Sequence, residues 1–480
     1  MQTRSEKLSW WTRIGYGLGD IYGGGSVVML SFYYLIFLTD VVQIAPALAG
    51  TAILISKIYD SITDPFEGLI ADRTRTALGR RRPYLLAGIP LIILSFFALF
   101  YPFSMDDQMT RFACALSTYL FYSTVVSIVM LNYNALHAEI TLDYHERSTL
   151  SSVRIFFSTI ASIVAALVPL EIVAAFPDVH TGYIVMGLAM GAFFALPFIA
   201  TIAAVKERPE FQKKPAPFSW YRTFIQPFKN RTFVYTLGMF LFAVVAMDIV
   251  ASIVVYFVKY FLLRSSEVTF VTGTLLVAQV ASLPLFLWIS RRVGKARSYM
   301  VGLAVWVVAM LFSFLLGPSN DVWWVYVFAS VVGLGTGGIM VMIYAIFPDI
   351  PDVDELGSKE RREAIYSALT MFIRKFASAL GIFAVALVIG WAGYTAPLQQ
   401  TINGATKLIE QPQSEAFLLV LRMVFVFLPI VLLAFALYFA LRFPLTPKLH
   451  ERLNNLLLRQ RLNEPVDENE KRELTRVLLG

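Results

Sequence analysis

Residues 57–68 read KIYDSITDPFEG, and they lie inside a stretch that is otherwise apolar from about residue 45 to residue 71. Asp60 and Asp64 are four positions apart, so a helix would place both carboxyl groups on one face. A charged aspartate at the centre of a bilayer costs roughly 2.5–3.5 kcal/mol, and two like charges on one face cost more. The pair therefore requires a proton, a cation or basic neighbours.

The composition of the whole chain indicates a membrane setting. The chain has 480 residues, of which 57% are hydrophobic and 15% charged, with a mean hydropathy of +0.66. Soluble domains carry about 25% charged residues, and a helix needs about 20 mostly apolar residues to cross a bilayer. The sequence therefore predicts an all-α membrane protein with twelve transmembrane helices. The apolar runs cover residues 13–39, 45–71, 83–104, 109–138, 149–175, 180–205, 233–262, 268–290, 298–317, 321–347, 364–393 and 414–443.

The net charge of +7 follows the expected topology. Cytoplasmic loops of membrane proteins hold an excess of Lys and Arg. If the N-terminus lies inside, the inner segments collect most basic residues, and the outer loops keep little beyond Arg111, Arg264 and Lys407. We therefore expect a multi-pass protein of the cell membrane with both termini in the cytoplasm. No nucleic-acid partner is needed to explain the charge.

The segment 206–232 is the longest inner connection, and it divides the spans into two sets of six. Two six-helix halves joined by a basic inner linker are typical of the major facilitator fold. The expected organisation is an N-terminal half over residues 1–205, the cytoplasmic linker, a C-terminal half over 233–443 and a cytoplasmic tail over 444–480. The tail alternates charge and leucine, which fits either an amphipathic helix or a solvated tail. A monomer is expected for this layout.

The acidic pair of the second span has the chemistry of a cation site. Two carboxylates, the Thr63 hydroxyl and a backbone carbonyl could supply the oxygen ligands that a hard cation such as Na⁺ requires. Pro65 has no N–H, so it leaves the carbonyl four residues earlier unpaired. Because intramembrane acids are functional by default, we interpret Asp60 and Asp64 as a coupling-ion site. The alternative is a structural ion-pair network in which Lys57 neutralises one acid. The spacing does not separate a proton from Na⁺.

Three of the other charged residues inside predicted spans are interpreted as candidate site residues. Asp20 lies between glycines early in span 1, where it either lines a cavity or pairs with a basic residue near the inner face. Arg154 opens span 5 and either faces the cavity or pairs with Glu139 or Asp143. Lys375 lies in the middle of span 11, and we interpret it as a cavity residue.

Two uncharged residues have side chains suited to sugars. The amide of Asn134 could hydrogen-bond sugar hydroxyls, and the ring of Tyr22 could stack on a sugar ring. Amides and phenols also bind and pack between neighbouring helices, so both interpretations stay open.

Enzyme chemistry is not indicated. The chain has one cysteine and four histidines, with no clustered metal ligands, no nucleophile motif and no phosphate-binding loop. We therefore expect no catalytic residues and no cofactor.

Three stretches carry a resemblance to a known family. YDSITDPFEGLIADRTRTALGRRRPYLL (59–86) resembles span 2 and the following loop of the glycoside–pentoside–hexuronide:cation symporters, the melibiose permease family. ALHAEITLDYHERSTLSSVR (135–154) is similar to that family's loop after span 4, and PDIPDVDELGSKERREAIYSALTMFIRKFASALG (348–381) is similar to its span 10–11 segment. The motifs occur in the family's order. The resemblance implies a twelve-span major facilitator fold that couples substrate uptake to Na⁺, H⁺ or Li⁺.

The resemblance also assigns site residues. Asp60 and Asp64 match the family's cation-site acids. Thr63 stands where melibiose permease has an amide, and Ser127 falls near the span 4 hydroxyl that completes the cation site. Two basic residues match positions near the substrate pocket, Lys375 in span 11 and Arg154 in span 5.

The chain departs from melibiose permease at the residues that bind the substrate. That protein holds its galactoside with acids in spans 1 and 4, where this sequence has Gly24 and approximately Met130. A cavity containing Arg154 and Lys375 favours an anionic substrate such as a hexuronide. The predicted function is a symporter that couples uptake of a sugar or glycoside to Na⁺ or H⁺. The alternatives are a sodium-coupled carrier of a lysolipid-like amphiphile, since such carriers share the Asp-x-x-x-Asp-Pro pattern, and an uncoupled facilitator.

Ion pairs between inner loops are expected to close the inner gate. Asp72 and Arg73 follow span 2, and Glu146 and Arg147 follow span 4. Pairing across these loops would hold the inner side shut. The expected partners of the protein are a small-molecule substrate, a coupling cation and membrane lipid.

Overall fold

The computed structural model describes residues 7–141, 143–208, 225–358, 363–462, 464–465 and 467–479. This part of the chain is helical except for one small antiparallel β-hairpin. The helices of its first part are α1 (Trp10–Leu18), α2 (Asp20–Ile36), α3 (Pro46–Arg73), α4 (Arg82–Leu99), α5 (Gln108–Ile140), α6 (Tyr144–Ala174), α7 (Val179–Ala195) and α8 (Pro197–Ala204).

The later elements follow the predicted linker, of which residues 209–224 lie outside the described chain. They are α9 (Arg231–Tyr256), α10 (Val268–Ala281), α11 (Leu283–Val293), α12 (Lys295–Ser313), α13 (Val322–Ile346), α14 (Asp349–Ser358), α15 (Glu363–Trp391), β1 (Leu398–Ile402), β2 (Ala405–Ile409), α16 (Glu415–Leu441), α17 (Pro447–Arg461) and α18 (Glu468–Leu478).

Eleven helical stretches of the described chain are long and apolar enough to cross a membrane. The helix α3 is not among them, although its 28 residues make it long enough. Four charged residues lower its hydropathy, namely Lys57, Asp60, Asp64 and Glu67. With α3 the count reaches the twelve transmembrane helices that the sequence predicts. The span that looks least like a membrane helix is therefore the one that carries the acidic pair.

The chain divides into two compact units. The first unit comprises Met1–Pro215, Ala251–Gly273 and Ile382–Leu421, and so contains α1 to α8 together with the hairpin. The second unit comprises Ala216–Val250, Thr274–Gly381 and Arg422–Gly480, and it contains α11 to α14 and the two tail helices.

Two helices end within the first unit in the same unusual turn. Residues Phe37–Val41 after α2 and Phe257–Phe261 after α9 each form one π-helical turn. Each turn is followed at the same distance by a non-glycine residue with positive φ, Gln43 at 58° and Leu263 at 55°. Such residues are uncommon, so their recurrence indicates an internal structural repeat of the kind found in transporter folds.

The two π turns carry opposite charges that meet in a buried cluster. Asp40 is 2% exposed, and its Oδ2 accepts hydrogen bonds from Lys259 Nζ and from the Tyr260 hydroxyl, both at 2.6 Å. The hydroxyls of Tyr394 and Thr39 donate to its Oδ1. This one carboxylate therefore ties the ends of α2 and α9 to the loop that follows α15.

The β-hairpin lies in the loop between α15 and α16. Its strands join through Asn403 and Gly404, whose φ angles of 53° and 77° are those of the tight type I′ turn that Asn-Gly favours. The backbone N–H of Thr406 donates to Asp178, the N-terminal cap of α7, at 2.9 Å. Hydrogen bonds from the Thr181 hydroxyl and from backbone N–H groups hold the pKa of Asp178 well below its ordinary value. The cap therefore stays ionised and fixes the hairpin to α7.

The charged tail forms two packed helices in the second unit. Leucines of α17 and α18, including Leu453, Leu456, Leu474 and Leu478, are buried with Val353 of α14 in one apolar cluster. The predicted amphipathic character is present, and its apolar side is covered by the protein itself.

We expect Asp40→Asn to destabilise the first unit. The substitution leaves Lys259, whose side chain is 15% exposed, facing an uncharged amide. Removal of one partner from a buried ion pair typically costs about 3–5 kcal/mol. Denaturant unfolding in detergent, followed by tryptophan fluorescence, measures the loss. Asp106→Asn, in an exposed loop, is the matched control. Equal unfolding free energies for the two variants would contradict the role given to Asp40.

Candidate functional site

Asp60 lies in the middle of α3 and is only 2% exposed. Its Oδ2 is 3.4 Å from Lys57 Nζ, and its Oδ1 is buried without a hydrogen-bond partner among the residues that the structure describes. The ammonium of Lys57 also lies 5.6 Å from the centre of the Tyr119 ring. The ion pair considered as a structural alternative is therefore present, but it leaves one buried carboxylate oxygen unsatisfied.

Asp64, one helical turn further along α3, contacts α5. The hydroxyl of Ser127 donates a hydrogen bond to Asp64 Oδ1. The Thr63 hydroxyl donates back to the carbonyl of Tyr59 at 3.1 Å, so its oxygen lone pairs remain available as acceptors. The structure thus brings two predicted cation-site residues together and places the other two within one turn of α3.

A ladder of hydroxyl contacts fixes the register between α3 and α5. Ser56 and Ser123 are hydrogen-bonded at 3.0 Å, and Tyr59 and Thr124 at 3.0 Å. The contact of Ser127 with the acidic pair continues this ladder. The position of the span 4 hydroxyl is therefore held by neighbouring polar contacts as well as by its own hydrogen bond.

Three charged residues lie within two turns of α3, namely Lys57, Asp60 and Asp64. Their formal charges add to +1 − 2 = −1. In the described chain no three His, Cys, Asp or Glu side chains converge as metal ligands. The arrangement instead combines two carboxylates with hydroxyl oxygens, which suits a hard monovalent cation or a proton.

A second polar site joins α2 to α6. Arg154 Nη2 lies 3.0 Å from Asp20 Oδ1, and the two side chains are 27% and 9% exposed. The guanidinium lies 5.2 Å from the centre of the Tyr133 ring, which stacks on Tyr16. Of the alternatives for Asp20, the structure shows the pairing with a basic residue. It gives Arg154 this partner, while Glu139 binds two other arginines.

Glycines bring α2 and α6 into close contact beside this pair. A Cβ atom on Gly24 would lie 2.1 Å from Ser158 Oγ and 2.7 Å from the carbonyl oxygen of the same residue. An acidic side chain at this position would therefore force the two helices apart. A Cβ atom on Gly23 would lie 2.6 Å from both Asp20 Oδ1 and Met130 Cε. The absence of the two galactoside-binding acids is thus part of the helix packing.

Tyr22 and Asn134 occupy very different surroundings. Tyr22 is completely buried in an aromatic cluster with Phe194 and Phe198, and in the described part of the chain its hydroxyl has no hydrogen-bond partner. The structure therefore gives Tyr22 no open face for a sugar ring. Asn134 is exposed and lies two turns from Ser127 on the same face of α5.

Lys375 lies in the second unit, where its side chain is half-buried on α15. One turn further along this helix, the Ser378 hydroxyl donates to Asp248 Oδ2 of α9 at 2.6 Å. The polar face of α15 is therefore engaged with α9 near the predicted substrate lysine.

Among the predicted gate residues, Glu146 has a different partner from the one expected. Glu146 is bound by the guanidinium of Arg13, at 2.7 Å to Oε1 and 2.9 Å to Oε2. Arg147 donates to a backbone carbonyl of its own loop at 2.8 Å, and Arg73 is exposed. The side chain of Asp72 lies outside the described residues. The pair between α1 and α6 thus replaces the pairing between loops that the sequence suggested for Glu146.

Two acids that the sequence analysis did not select as gate residues hold the arginine-rich loop before α4. Glu207 accepts hydrogen bonds from the backbone N–H groups of Arg80, Arg81 and Arg82, at 2.5, 2.8 and 2.8 Å. Glu139 accepts from the guanidinium groups of Arg80 and Arg81. The sequence signal that could have found these acids was an acid at the end of a span, together with three consecutive arginines in a loop.

Comparison with known proteins finds transporters over most of the chain. The isoprimeverose transporter of Lactiplantibacillus pentosus is 28% identical, over 81% of this chain and 82% of its own. The glucuronide carrier protein homolog of Escherichia coli is 26% identical, over 83% and 87%. The sodium-dependent lysophosphatidylcholine symporter 1 of Gallus gallus is 22% identical, over 81% and 80%.

A solved structure shares the fold. The crystal structure of a nucleoside transporter superposes with a TM-score of 0.60 at 14% sequence identity, over 89% of this chain and 98% of that one. At this identity the match shows the fold alone, a major facilitator architecture of twelve transmembrane helices in two six-helix halves.

The family is established by a model described as MFS/sugar transport protein, which matches residues 15–447. The protein is thus a multi-pass membrane transporter and not an enzyme. As its resemblance to the glycoside–pentoside–hexuronide:cation symporters predicts, the chain belongs to the MFS/sugar transport protein family.

Proposed function

We propose that this protein is a secondary active symporter that couples uptake of a sugar or glycoside to a cation held by Asp60, Thr63, Asp64 and Ser127. The observation that supports this most directly is the unsatisfied buried oxygen of Asp60, one turn from the contact between Asp64 and Ser127. Two relatives of the family are named for isoprimeverose and glucuronide transport.

The charge of the acidic pair provides the coupling. A Na⁺, Li⁺ or H⁺ bound at the unsatisfied oxygen of Asp60 reduces the negative charge of this pair. A buried uncompensated charge opposes any rearrangement that removes water from it. The carrier therefore closes around the site readily when the cation is bound, and poorly when it is absent.

The substrate is proposed to bind at the Asp20–Arg154 pair. A carboxylate and a guanidinium can exchange their mutual contact for sugar hydroxyls. A hexuronide carboxylate could compete with Asp20 for the guanidinium of Arg154. Asn134 is a further polar group proposed for the substrate site. Lys375 of the second unit stays a prediction that the family resemblance implies. The buried ring of Tyr22 supports helix packing.

The proposed orientation places both termini in the cytoplasm, with one chain as the working unit. On this side the pairs Arg13–Glu146 and Arg80–Glu139 would latch the loops of the N-terminal half. A lysolipid-like amphiphile is the second candidate substrate, since the lysophosphatidylcholine symporter is a relative.

We expect Asp64→Cys to abolish cation-stimulated accumulation, because a thiol cannot replace a carboxylate ligand. Isoprimeverose or a glucuronide is added outside proteoliposomes that contain the purified protein. Its accumulation inside is measured with and without a Na⁺ or H⁺ gradient. The exposed-loop variant Asp106→Cys should accumulate substrate like the parent. Normal cation stimulation in Asp64→Cys would refute the site. Equilibration of the substrate without accumulation in the parent, whichever ion gradient is imposed, would indicate a facilitator.

Ser127→Ala should raise the cation concentration needed for half-maximal uptake by about tenfold, the lower end of what loss of a supporting ligand group costs a metal site. The matched control is Ser123→Ala on the same helix, whose hydroxyl contacts Ser56 and not an acid. Titration of uptake against Na⁺ at fixed pH measures the shift. Identical shifts in both variants would show that the effect arises from the α3–α5 contact and not from cation binding.

Arg154→Lys should weaken transport of a hexuronide about tenfold more than transport of a neutral glycoside. A lysine keeps the charge but loses the two-pronged geometry that binds a carboxylate. Competition between unlabelled glucuronide and isoprimeverose for uptake gives the ratio. Parallel losses for both sugars would mean that Arg154 only positions α6.

A further inference from the structure

A basic cavity lies where two membrane helices end beside the C-terminal tail. It has a volume of about 720 Å³ and belongs entirely to the second unit. Arg231 is the first residue of α9, and Arg442 directly follows the last residue of α16. Arg472 and Arg476 of α18 complete the lining, together with the carboxylate of Glu473. Four guanidinium groups therefore surround one cavity at the level where these helices leave the membrane.

The one carboxylate in the lining is already engaged. Arg452 of α17 binds both oxygens of Glu473, with distances of 3.2 Å and 2.8 Å. These hydrogen bonds hold the pKa of Glu473 below its ordinary value, so it remains an ionised partner of Arg452. Among the described residues that line the cavity, the positive charge of the four arginines is thus left without a matching negative charge.

The arginines of α18 are held by a docked helix. Leu474 and Leu478 are buried in the apolar cluster with α14. The carbonyl oxygens of Leu478 and Leu479 accept hydrogen bonds from the Thr232 hydroxyl at 2.6 Å and from the Arg231 N–H at 3.1 Å. The tail therefore caps the start of α9, and Arg472 and Arg476 project from a fixed backbone.

An aromatic cavity of about 440 Å³ adjoins the basic one, and Arg231 lines both. Tyr235, Tyr438 and Phe439 form its walls. The guanidinium of Arg442 lies 4.6 Å from the Tyr438 ring centre, and that of Arg231 lies 5.6 Å from the Tyr235 ring centre. Aromatic rings and arginines at the ends of membrane helices are typical of the level of lipid headgroups.

We propose that this arginine cavity binds the phosphate of an anionic phospholipid, with the acyl chains lying along the aromatic wall. Planar guanidinium groups bind phosphate oxygens in pairs, and basic pockets between membrane helices take anionic headgroups. The neighbouring aromatic surface favours a lipid over a soluble phosphate, because only a lipid can use both cavities. The site is separate from the acidic pair of α3, and it gives the tail helices a role in lipid recognition.

The proposal is tested by native mass spectrometry of the detergent-purified full chain with dioctanoyl-phosphatidylglycerol. The variant Arg472→Gln/Arg476→Gln should bind this lipid roughly thirtyfold more weakly, because each basic residue near an anionic lipid contributes about fivefold. Lys448→Gln/Arg459→Gln removes two charges from exposed residues of α17 outside the cavity, and it should bind like the parent. Size-exclusion chromatography and cation-stimulated uptake confirm that both variants are folded.

Two further ligands identify what the cavity recognises. Dioctanoyl-phosphatidylcholine has the same chains and a neutral headgroup, and it should bind weakly to the parent. Inorganic phosphate at the same concentration should not displace phosphatidylglycerol. Equal binding of the two lipids, unchanged binding in Arg472→Gln/Arg476→Gln, or displacement by inorganic phosphate would each overturn the proposal.

Discussion

A carboxylate surrounded by membrane helices must be compensated, and this chain compensates its acids to different degrees. Asp20 faces Arg154 at 3.0 Å, and Asp40 faces Lys259 at 2.6 Å with phenol hydroxyls completing its shell. Asp60 has an ammonium at 3.4 Å from one oxygen, and its other oxygen has no hydrogen-bond partner among the described residues. Since an unsatisfied buried charge costs several kcal/mol, the incompletely compensated acid is the natural place for a mobile ion. Asp40, with its full shell of partners, acts instead as a fixed connection between helices.

This difference separates two tasks within the first unit. Connections such as Arg13–Glu146 and Arg80–Glu139 are made by partners that belong to the chain, so they persist whatever ion is present. In the proposed mechanism, the charge of the acidic pair in α3 changes with the ion it binds. A conformational change that encloses this pair would then be coupled to the ion gradient through the desolvation of the pair.

The sequence is sufficient to predict the spans and the acidic pair, because hydropathy and helical spacing are local properties. The pairing partners of charged side chains cannot be predicted in this way, because they depend on helix rotation and on contacts as close as that of Gly24 with Ser158. Arg154 had three candidate acids nearby in the fold or in sequence, and only the packing of α2 on α6 selects Asp20. The hairpin was within reach of sequence reasoning, because Asn403-Gly404 between two short β-prone runs is a strong turn signal. Asp40 gave no comparable signal, as an acid at the end of a span is ordinary in a loop.

The matched π turns of α2 and α9 show how a repeated backbone can acquire a specific contact. A π turn widens the helix locally and redirects the side chains that follow it, and such turns are frequent at functional positions. Both copies keep the turn, but one carries Asp40 and the other Lys259. Two identical copies would bring like charges together and repel each other, whereas the diverged copies attract at 2.6 Å. The ion pair therefore depends on two turns that share their backbone geometry but differ in their side chains. Any movement that separates the ends of α2 and α9 must first break this pair and find new partners for both charges.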